Sequence, residues 1–500
     1  MGAEPVFRQS GGNVVRKPKS RTDAAVRASV VAKKRVMIVE PRDAGRKRRK
    51  TMAEPKEHKQ PSVVPNGAKQ DGEALRGNWE WVEGSVWTLR MLGALERGVK
   101  GNRWFSLNDK VWKEANLQSA LEKVVRNGGS AGVDGQRVEQ LAERGLEIVA
   151  EVKQQLQDRV YRPKPVLRAW IEKLGSKEMR PLGIPTVQDR MVQTALRNVL
   201  EPIFEWGFAE HSYGFRPGRG AKQALRRVSE LLDTGHVWIV DADLKGYFDS
   251  IPQDRLMAAV EEKIADGAVL ELIQRFLKQG VMETAKGWQP TETGTPQGAV
   301  ISPLLANIYL DPLDHMMAGR GWEMVRYADD FVILCRSEAE AQAALEAVKQ
   351  WTAQAGLTLH PTKTRLVDAS QKGGFDFLGY HFERGYQWPR AKSVTKLKET
   401  VRAKTRRNNG QSMNQIVEDL NRTLRGWGNY FSQGNHSVHK ALDGWIRQRL
   451  RAILKQRAKR KGHPKGRDFQ RWPIAYFDRL GLYRLSNNLQ LRLSIPGRGF

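Results

Sequence analysis

The chain is expected to fold as an α+β protein in which a mixed portion precedes an all-helical, strongly basic one. Three observations carry that expectation. Helical and strand patterns alternate between about residues 79 and 385. Two short apolar strands in that span flank Tyr327-Ala328-Asp329-Asp330 as a hairpin. Beyond 385 helical periodicity dominates.

The 500 residues exceed one ordinary domain and suggest about two to four. Hydrophobic residues make up 40%, enough for a real core. No run of about 18 apolar residues occurs, so no spanning helix and no membrane partner are expected. The N-terminus lacks the apolar stretch of a secretory signal. Cys335 is the single cysteine, which excludes an intramolecular disulfide and a cysteine-rich zinc site and fits a reducing cytoplasm.

The net charge of +29 is uneven. Residues 1–60 carry 17 basic and 6 acidic side chains, and residues 386–500 carry 26 and 6, leaving 61–385 at −2. A basic region with periodic apolar residues is the footprint of a nucleic-acid-binding surface, its alternative being a solvated, solubilising face.

Taken in order, residues 1–78 read as a disordered basic extension, with the run Arg46-Lys47-Arg48-Arg49-Lys50 and no persistent periodicity. Folded structure is expected from about 79, where Trp79, Trp81, Trp87, Trp104 and Trp112 appear among helical patterns. Val187, Met191, Val192, Ala195, Leu196, Val199, Leu200 and Ile203 mark an amphipathic helix entered at Pro185-Thr186. Residues 236–243 read as a nearly continuous apolar strand ending in Asp243. Met324-Val325 and Phe331-Val332-Ile333-Leu334 form the hairpin strands. Residues 393–407 are a basic helix, and Ser412 caps another with Met413, Ile416, Leu420 and Leu424 inward. Leu442, Trp445, Ile446, Leu450 and Ile453 make a third face, with Arg447, Arg449, Arg451 and Lys455 on other sides.

Asp243 closes a buried-looking strand, and Asp329 and Asp330 sit at the hairpin tip. Carboxylates beside apolar strands are costly unless paired with cations. If the two strands adjoin, the aspartates meet and call for Mg²⁺, which takes one or two carboxylates plus substrate phosphates. Two such ions would serve an in-line displacement on a phosphate, and nucleotidyl transfer is the chemistry indicated.

Tyr327-Ala328-Asp329-Asp330 resembles the YADD box of group II intron-encoded reverse transcriptases, and Asp243-Leu244-Lys245-Gly246-Tyr247-Phe248-Asp249 resembles their first catalytic box. Arg180 to Pro185, Ser212 to Gly218, Gly294 to Gly298 with Ile301 to Asn307, and Phe377 to Tyr380 resemble further boxes in the same order. Ala299 departs from the glycine of many relatives, and its small side chain tolerates a similar backbone. The resemblance covers roughly residues 100–435 and implies a right-hand polymerase: fingers and a palm with an antiparallel sheet, then an all-helical thumb (maturase) domain. The boundaries so drawn are 1–78 extension, 79–235 N-terminal segment and fingers, 236–385 palm, 386–460 thumb/maturase, and 461–500 a short basic DNA-binding tail.

By that resemblance Asp243, Asp329 and Asp330 are the catalytic, metal-binding carboxylates for two Mg²⁺ ions. Lys173 and Arg180 grip the triphosphate, Phe248 selects deoxynucleotides, Gln297 lies near the incoming nucleotide, and Lys363 near the leaving pyrophosphate. Asp241 and Asp249 are expected to be structural. Asn127 to Gly135, a Gly-rich loop without a P-loop ending, falls in the family's template-binding fingers. Leu424 to Phe431 resembles the maturase signature, which makes Arg425, Trp427 and Tyr430 candidate RNA contacts, although the aromatic residues also suit a packed core, and Arg447 and Arg451 on the basic side of the third helix are candidate RNA contacts with them.

The implied partners are group II intron RNA, an RNA template with a DNA or RNA primer, target DNA and deoxynucleoside triphosphates. The implied location is the bacterial cytoplasm, with the nucleoid. The expected activity is RNA-directed DNA polymerisation with assistance to splicing and retrohoming by target-primed reverse transcription, without the family's optional endonuclease. Two alternatives stay open: a domesticated reverse transcriptase not tied to an intron, and a splicing cofactor only.

Overall fold

The structure, a computed structural model, describes residues 75–172 and 179–488. The expected N-terminal extension up to residue 74, Lys173, and the last twelve residues of the expected tail lie outside the described residues.

Among the described residues the strands are β1 (Val166–Glu172), β2 (Met179–Ile184), β3 (Trp238–Asp243), β4 (Val281–Glu283), β5 (Gly287–Gln289), β6 (Glu323–Tyr327), β7 (Asp330–Cys335), β8 (Arg365–Asp368), β9 (Phe375–Phe377), β10 (Tyr380–Glu383) and β11 (Tyr386–Pro389). They form three sheets, ordered β2-β1-β4-β5, β6-β7-β3-β8 and β11-β10-β9. The second sheet is antiparallel throughout, as a palm requires.

That sheet explains the apolar run in β3. The strand is central, so both its faces need cover. Val240, Ala242, Phe331 and Ile333 pack on one side with Leu305 and Val348 from the helices Ser302–Gly319 and Glu338–Gln354. Ile239, Val325, Val332 and Leu334 pack on the other with Leu225 and Val228 of the helix Ala221–Asp233. Side chains alternate along a strand. Asp241 and Asp243 therefore continue the Ile239 face, and Asp330 continues the Val332 and Leu334 face. The carboxylates begin where one apolar layer ends.

The helix Val187–Glu205 starts where its pattern places it, with the Thr186 side chain accepting from the Asp189 N–H, and its length is almost wholly buried. Near the first described residues Trp79 packs against Trp81 and Trp206 at ring-centroid distances of 6.0 and 5.6 Å.

The thumb helices are Ala391–Lys404, Met413–Tyr430 and His436–Arg457. Ser412 caps the second, its side chain accepting from the Gln415 N–H while the Gln415 side chain accepts from the Ser412 N–H. Their core is Leu397, Val401, Ile416, Leu420, Leu424, Leu442, Ile446, Leu450 and Ile453.

Two boundaries drawn from sequence differ from the packing. The one after 385 falls inside a hairpin, because Glu383 pairs with Tyr386 across β10 and β11. The one after 460 cuts a single core: Trp472, Phe477, Leu482 and Leu485 are buried with Leu442 and Ile446. Short helices at Arg467–Arg471 and Ile474–Arg479 carry the chain back over the thumb, and the Asp443 carboxylate accepts from the Leu485 and Ser486 N–H groups at 2.9 and 3.0 Å.

Candidate active site

Asp243 and Asp330 are register partners across β3 and β7, so their side chains leave the same face of the sheet. Tyr327 pairs with Asp330 across β6 and β7, which leaves Ala328 and Asp329 as a two-residue turn. Ala328 has φ +59°, the left-handed value such a turn needs. Strand pairing thus gathers Asp243, Asp329 and Asp330, three residues up to 87 positions apart, at one end of the palm sheet.

They open into a cleft of about 1020 Å³ whose walls come from three parts of the chain. The palm supplies Asp241, Asp243, Asp329, Asp330 and Lys363. The end of the fingers hairpin supplies Arg180, and the thumb supplies Thr423, Trp427 and Tyr430.

The electrostatics of the cleft are those of crowded anions. Burial pushes the Asp330 carboxyl up to about 7, reinforced by the charges of Asp241, Asp329 and Asp243. Burial also raises Asp329, with Asp243 adding to it. Cations answer part of this charge: Lys363 Nζ donates to Asp243 Oδ2 at 2.6 Å, and Arg365 Nε to Asp241 Oδ2 at 3.1 Å. Asp241, expected to be structural, therefore lines the cleft and adds to its negative field.

Among the described residues no three carboxylate, imidazole or thiolate groups close on one point as a self-sufficient metal cage. The carboxylates of Asp243, Asp329 and Asp330 that line the cleft are hard oxygen donors of the kind Mg²⁺ takes one or two at a time, completing its octahedron with water and phosphate. Asp243, Asp329 and Asp330 are the residues that would hold the ion.

The remaining sequence-derived positions divide. Arg180 and Lys363 line the cleft. Phe248 is half-buried beside it in the chain, edge-on to Tyr247 and Phe215 at 5.6 and 6.4 Å. Gln297 faces a second cavity of about 610 Å³ with Arg168 and Asp249, and its Nε2 lies 3.4 Å from Asp249 Oδ2. The two segments are nonetheless clasped: the Gly294 N–H donates to Ile251 O and the Thr295 N–H to Phe248 O, both at 2.7 Å.

In the thumb, Trp427 lies 4.5 Å from Phe431 and 5.4 Å from His439 between ring centroids while still lining the cleft, so it both packs and faces the site. Tyr430 is partly exposed, and its hydroxyl donates to Leu378 O at 2.8 Å. Arg425 is exposed and Arg447 half-exposed. Arg451 corrects the expectation of an RNA contact. It is 4% exposed, its Nε donates to Trp472 O at 2.8 Å, and its guanidinium lies over Phe469 and Phe477 at 4.7 and 5.2 Å. The returning tail covers it, which its place in a basic helical pattern does not reveal. Arg390, Lys392 and Lys396, also in the cleft wall, are missed for a related reason: in sequence their basic run is indistinguishable from a solvated helix face.

Residues 171–382 match the family described as Reverse transcriptase (RNA-dependent DNA polymerase), and residues 394–472 that described as Group II intron, maturase-specific domain. Over 170 residues the chain is 45% identical to the Group II intron-encoded protein LtrA of Lactococcus lactis subsp. cremoris, a match spanning 34% of this chain and 28% of LtrA. Protein YkfC of Escherichia coli (strain K12) is 32% identical over 295 residues, spanning 51% of this chain and 76% of YkfC. A chain of a partial Cas6-RT-Cas1–Cas2 complex aligns with 50% of this chain and 41% of its own, at 27% identity and a TM-score of 0.33. An antiparallel palm with clustered aspartates, followed by a helical domain of the maturase type, is a reverse transcriptase joined to a maturase domain. The chain belongs to the group II intron-encoded reverse transcriptase/maturase family.

Proposed function

We propose that the chain is an RNA-directed DNA polymerase that also binds its intron RNA and assists its splicing and mobility. The observation that carries this reading is the register pairing of Asp243 with Asp330, with Asp329 in the adjoining turn, at the floor of a cleft walled by fingers and thumb. Bound Mg²⁺ ions would activate the primer 3′-hydroxyl and offset charge on the leaving pyrophosphate. Asp243, Asp329 and Asp330 hold the acidic end of the cleft. Arg180 and Lys363 supply positive charge to the triphosphate of a deoxynucleotide and to the charge developing on it. Phe248, held by Tyr247 and Phe215, limits space at the sugar, and Gln297 lines the approach to it. Lys173 is assigned to the same triphosphate grip.

The basic thumb would hold the template–primer backbone and intron RNA, with Arg425, Trp427, Tyr430 and Arg447 as contacts and a steep salt dependence. Target DNA is the further partner this reading assigns to the basic C-terminal region, and cellular placement with bacterial DNA follows from it. Among the described residues no helix is long and apolar enough to cross a membrane.

The test is primer extension on an RNA template with Mg²⁺, beside Asp329→Asn. Full-length cDNA from the parent and a loss of about 10³-fold or more in the variant is the expected result. No product from the parent, with tight intron RNA binding retained, would replace the polymerase reading with that of a splicing cofactor.

A further inference from the structure

The turn that carries Asp329 is held by a buried cation that is itself outside the cleft. Arg326 is 1% exposed, an unusual place for a guanidinium. Its Nε donates to Asp314 Oδ1 at 2.8 Å and Oδ2 at 3.0 Å, and its Nη2 also donates to Asp314 Oδ2. The remaining nitrogen, Nη1, reaches Asn307 Oδ1 at 3.0 Å and the Ala328 carbonyl oxygen at 2.9 Å. The last contact lands on the one residue of the turn with positive φ.

The other side of the turn is fixed as firmly. Asn307 Nδ2 donates to Gly214 O at 2.9 Å. Gly214 presses against the turn so closely that a Cβ there would overlap the Ala328 nitrogen and come within 2.8 Å of the Tyr327 carbonyl carbon. The Tyr213 N–H donates to Arg326 O at 2.8 Å, and the Arg326 N–H to His211 O at 3.0 Å. Two distant segments, residues 211–214 and the helix Ser302–Gly319, therefore meet on two residues, Ala328 and Arg326.

A left-handed alanine is held at a cost and persists only where its surroundings over-determine it. A guanidinium is suited to that task, because its planar fork can pair with a carboxylate and still direct a donor elsewhere. Lysine lacks that fork: its single nitrogen cannot hold Asp314 through two nitrogens and present a third to Asn307 Oδ1 and the Ala328 carbonyl oxygen.

We propose that Arg326, oriented by Asp314 and Asn307, is a positioning residue that fixes the strained Ala328 backbone and thereby the placement of the Asp329 carboxylate for the divalent cation. The inference rests on the reading of Asp329 as a metal ligand.

The test is Arg326→Lys in the full chain, bound to template–primer, with Mn²⁺ binding counted by electron paramagnetic resonance of the free ion. Thermal midpoint and template–primer affinity are measured alongside. The expected result is Mn²⁺ affinity weakened about tenfold, about 1.4 kcal/mol, with the thermal midpoint within a few degrees of the parent and template–primer affinity unchanged. Mn²⁺ affinity within twofold of the parent in a folded variant overturns the proposal. If Arg326→Lys does not fold, Asn307→Ala, which removes one partner of Nη1, is judged by the same two outcomes. A parent that neither binds Mn²⁺ nor extends a primer overturns the polymerase reading and this inference with it. A parent that does both beside an unaffected variant overturns the inference alone.

Discussion

Lys363 Nζ lies 2.6 Å from Asp243 Oδ2, so an ammonium group already occupies one oxygen of the carboxylate that ends β3. The pair is partly exposed, 59% at the lysine side chain and 30% at the aspartate, and such pairs contribute about 0.2–1 kcal/mol. On the proposed reading, a divalent cation entering the site would displace that contact. Lys363→Ala is therefore expected to raise Mn²⁺ affinity of the nucleotide-free protein by about 1.5- to 5-fold, while slowing nucleotide incorporation. An unchanged affinity in a direct titration would show that lysine and metal do not compete for Asp243.

The carboxyl of Asp330, pushed up to about 7 by burial and its acidic neighbours, makes cation binding pH-dependent. A cation requires the ionised form, so affinity should rise with pH through about 7 and binding should release protons. Stability of the metal-free protein has the opposite trend. The folded-state value lies above the unfolded one, so the ionised group penalises the fold once pH exceeds the unfolded value, and the penalty is complete above about 7. Asp330→Asn should then stabilise the metal-free protein at pH 8, by at most about 4 kcal/mol, and leave it little changed at pH 4. Thermal midpoints at the two pH values check this, and equal shifts would sink it.

Arg447 and Arg451 should separate cleanly despite belonging to one helix. Arg451→Ala removes a buried donor from Trp472 O and the cation over Phe469 and Phe477, and should cost about 2–3 kcal/mol of stability. Its effect on the salt dependence of RNA binding should be nil. Arg447→Ala should leave stability within about 0.5 kcal/mol and reduce the salt slope by about 1. The reverse pattern would place Arg451 on the RNA.

Phe248 is wedged by Tyr247 and Phe215, and its ring is the bulk assigned to sugar selection. Phe248→Ala should raise incorporation of ribonucleotides relative to deoxynucleotides by about 10- to 100-fold. Competing the two nucleotide classes in single-nucleotide extension measures this. An unchanged ratio would remove Phe248 from the selection step.

Much of this molecule is legible in its sequence because its signals are local. The Thr186 and Ser412 caps, the long helix from Val187 and the hairpin around Ala328-Asp329 all follow from spacing and side-chain chemistry within a few residues. The meeting of Asp243 with Asp330 needs long-range pairing, at which the apolar character of both strands and the family boxes they carry hint without setting the register. Asp241, Arg326 and Arg451 were hidden because their partners, Arg365, Asp314 and Trp472, are fixed by tertiary packing. Nothing in a basic helical stretch distinguishes an arginine facing solvent from one roofed by a later segment.

The returning C-terminal segment changes what a shortened chain would mean. Removing everything after residue 460 would strip Trp472, Phe477, Leu482 and Leu485 from the thumb interior and leave Arg451 without its roof. Nonsense mutations in this stretch would thus act as folding lesions. A loss of RNA affinity or splicing in such truncations would report a collapsed scaffold before it reported a lost nucleic-acid contact.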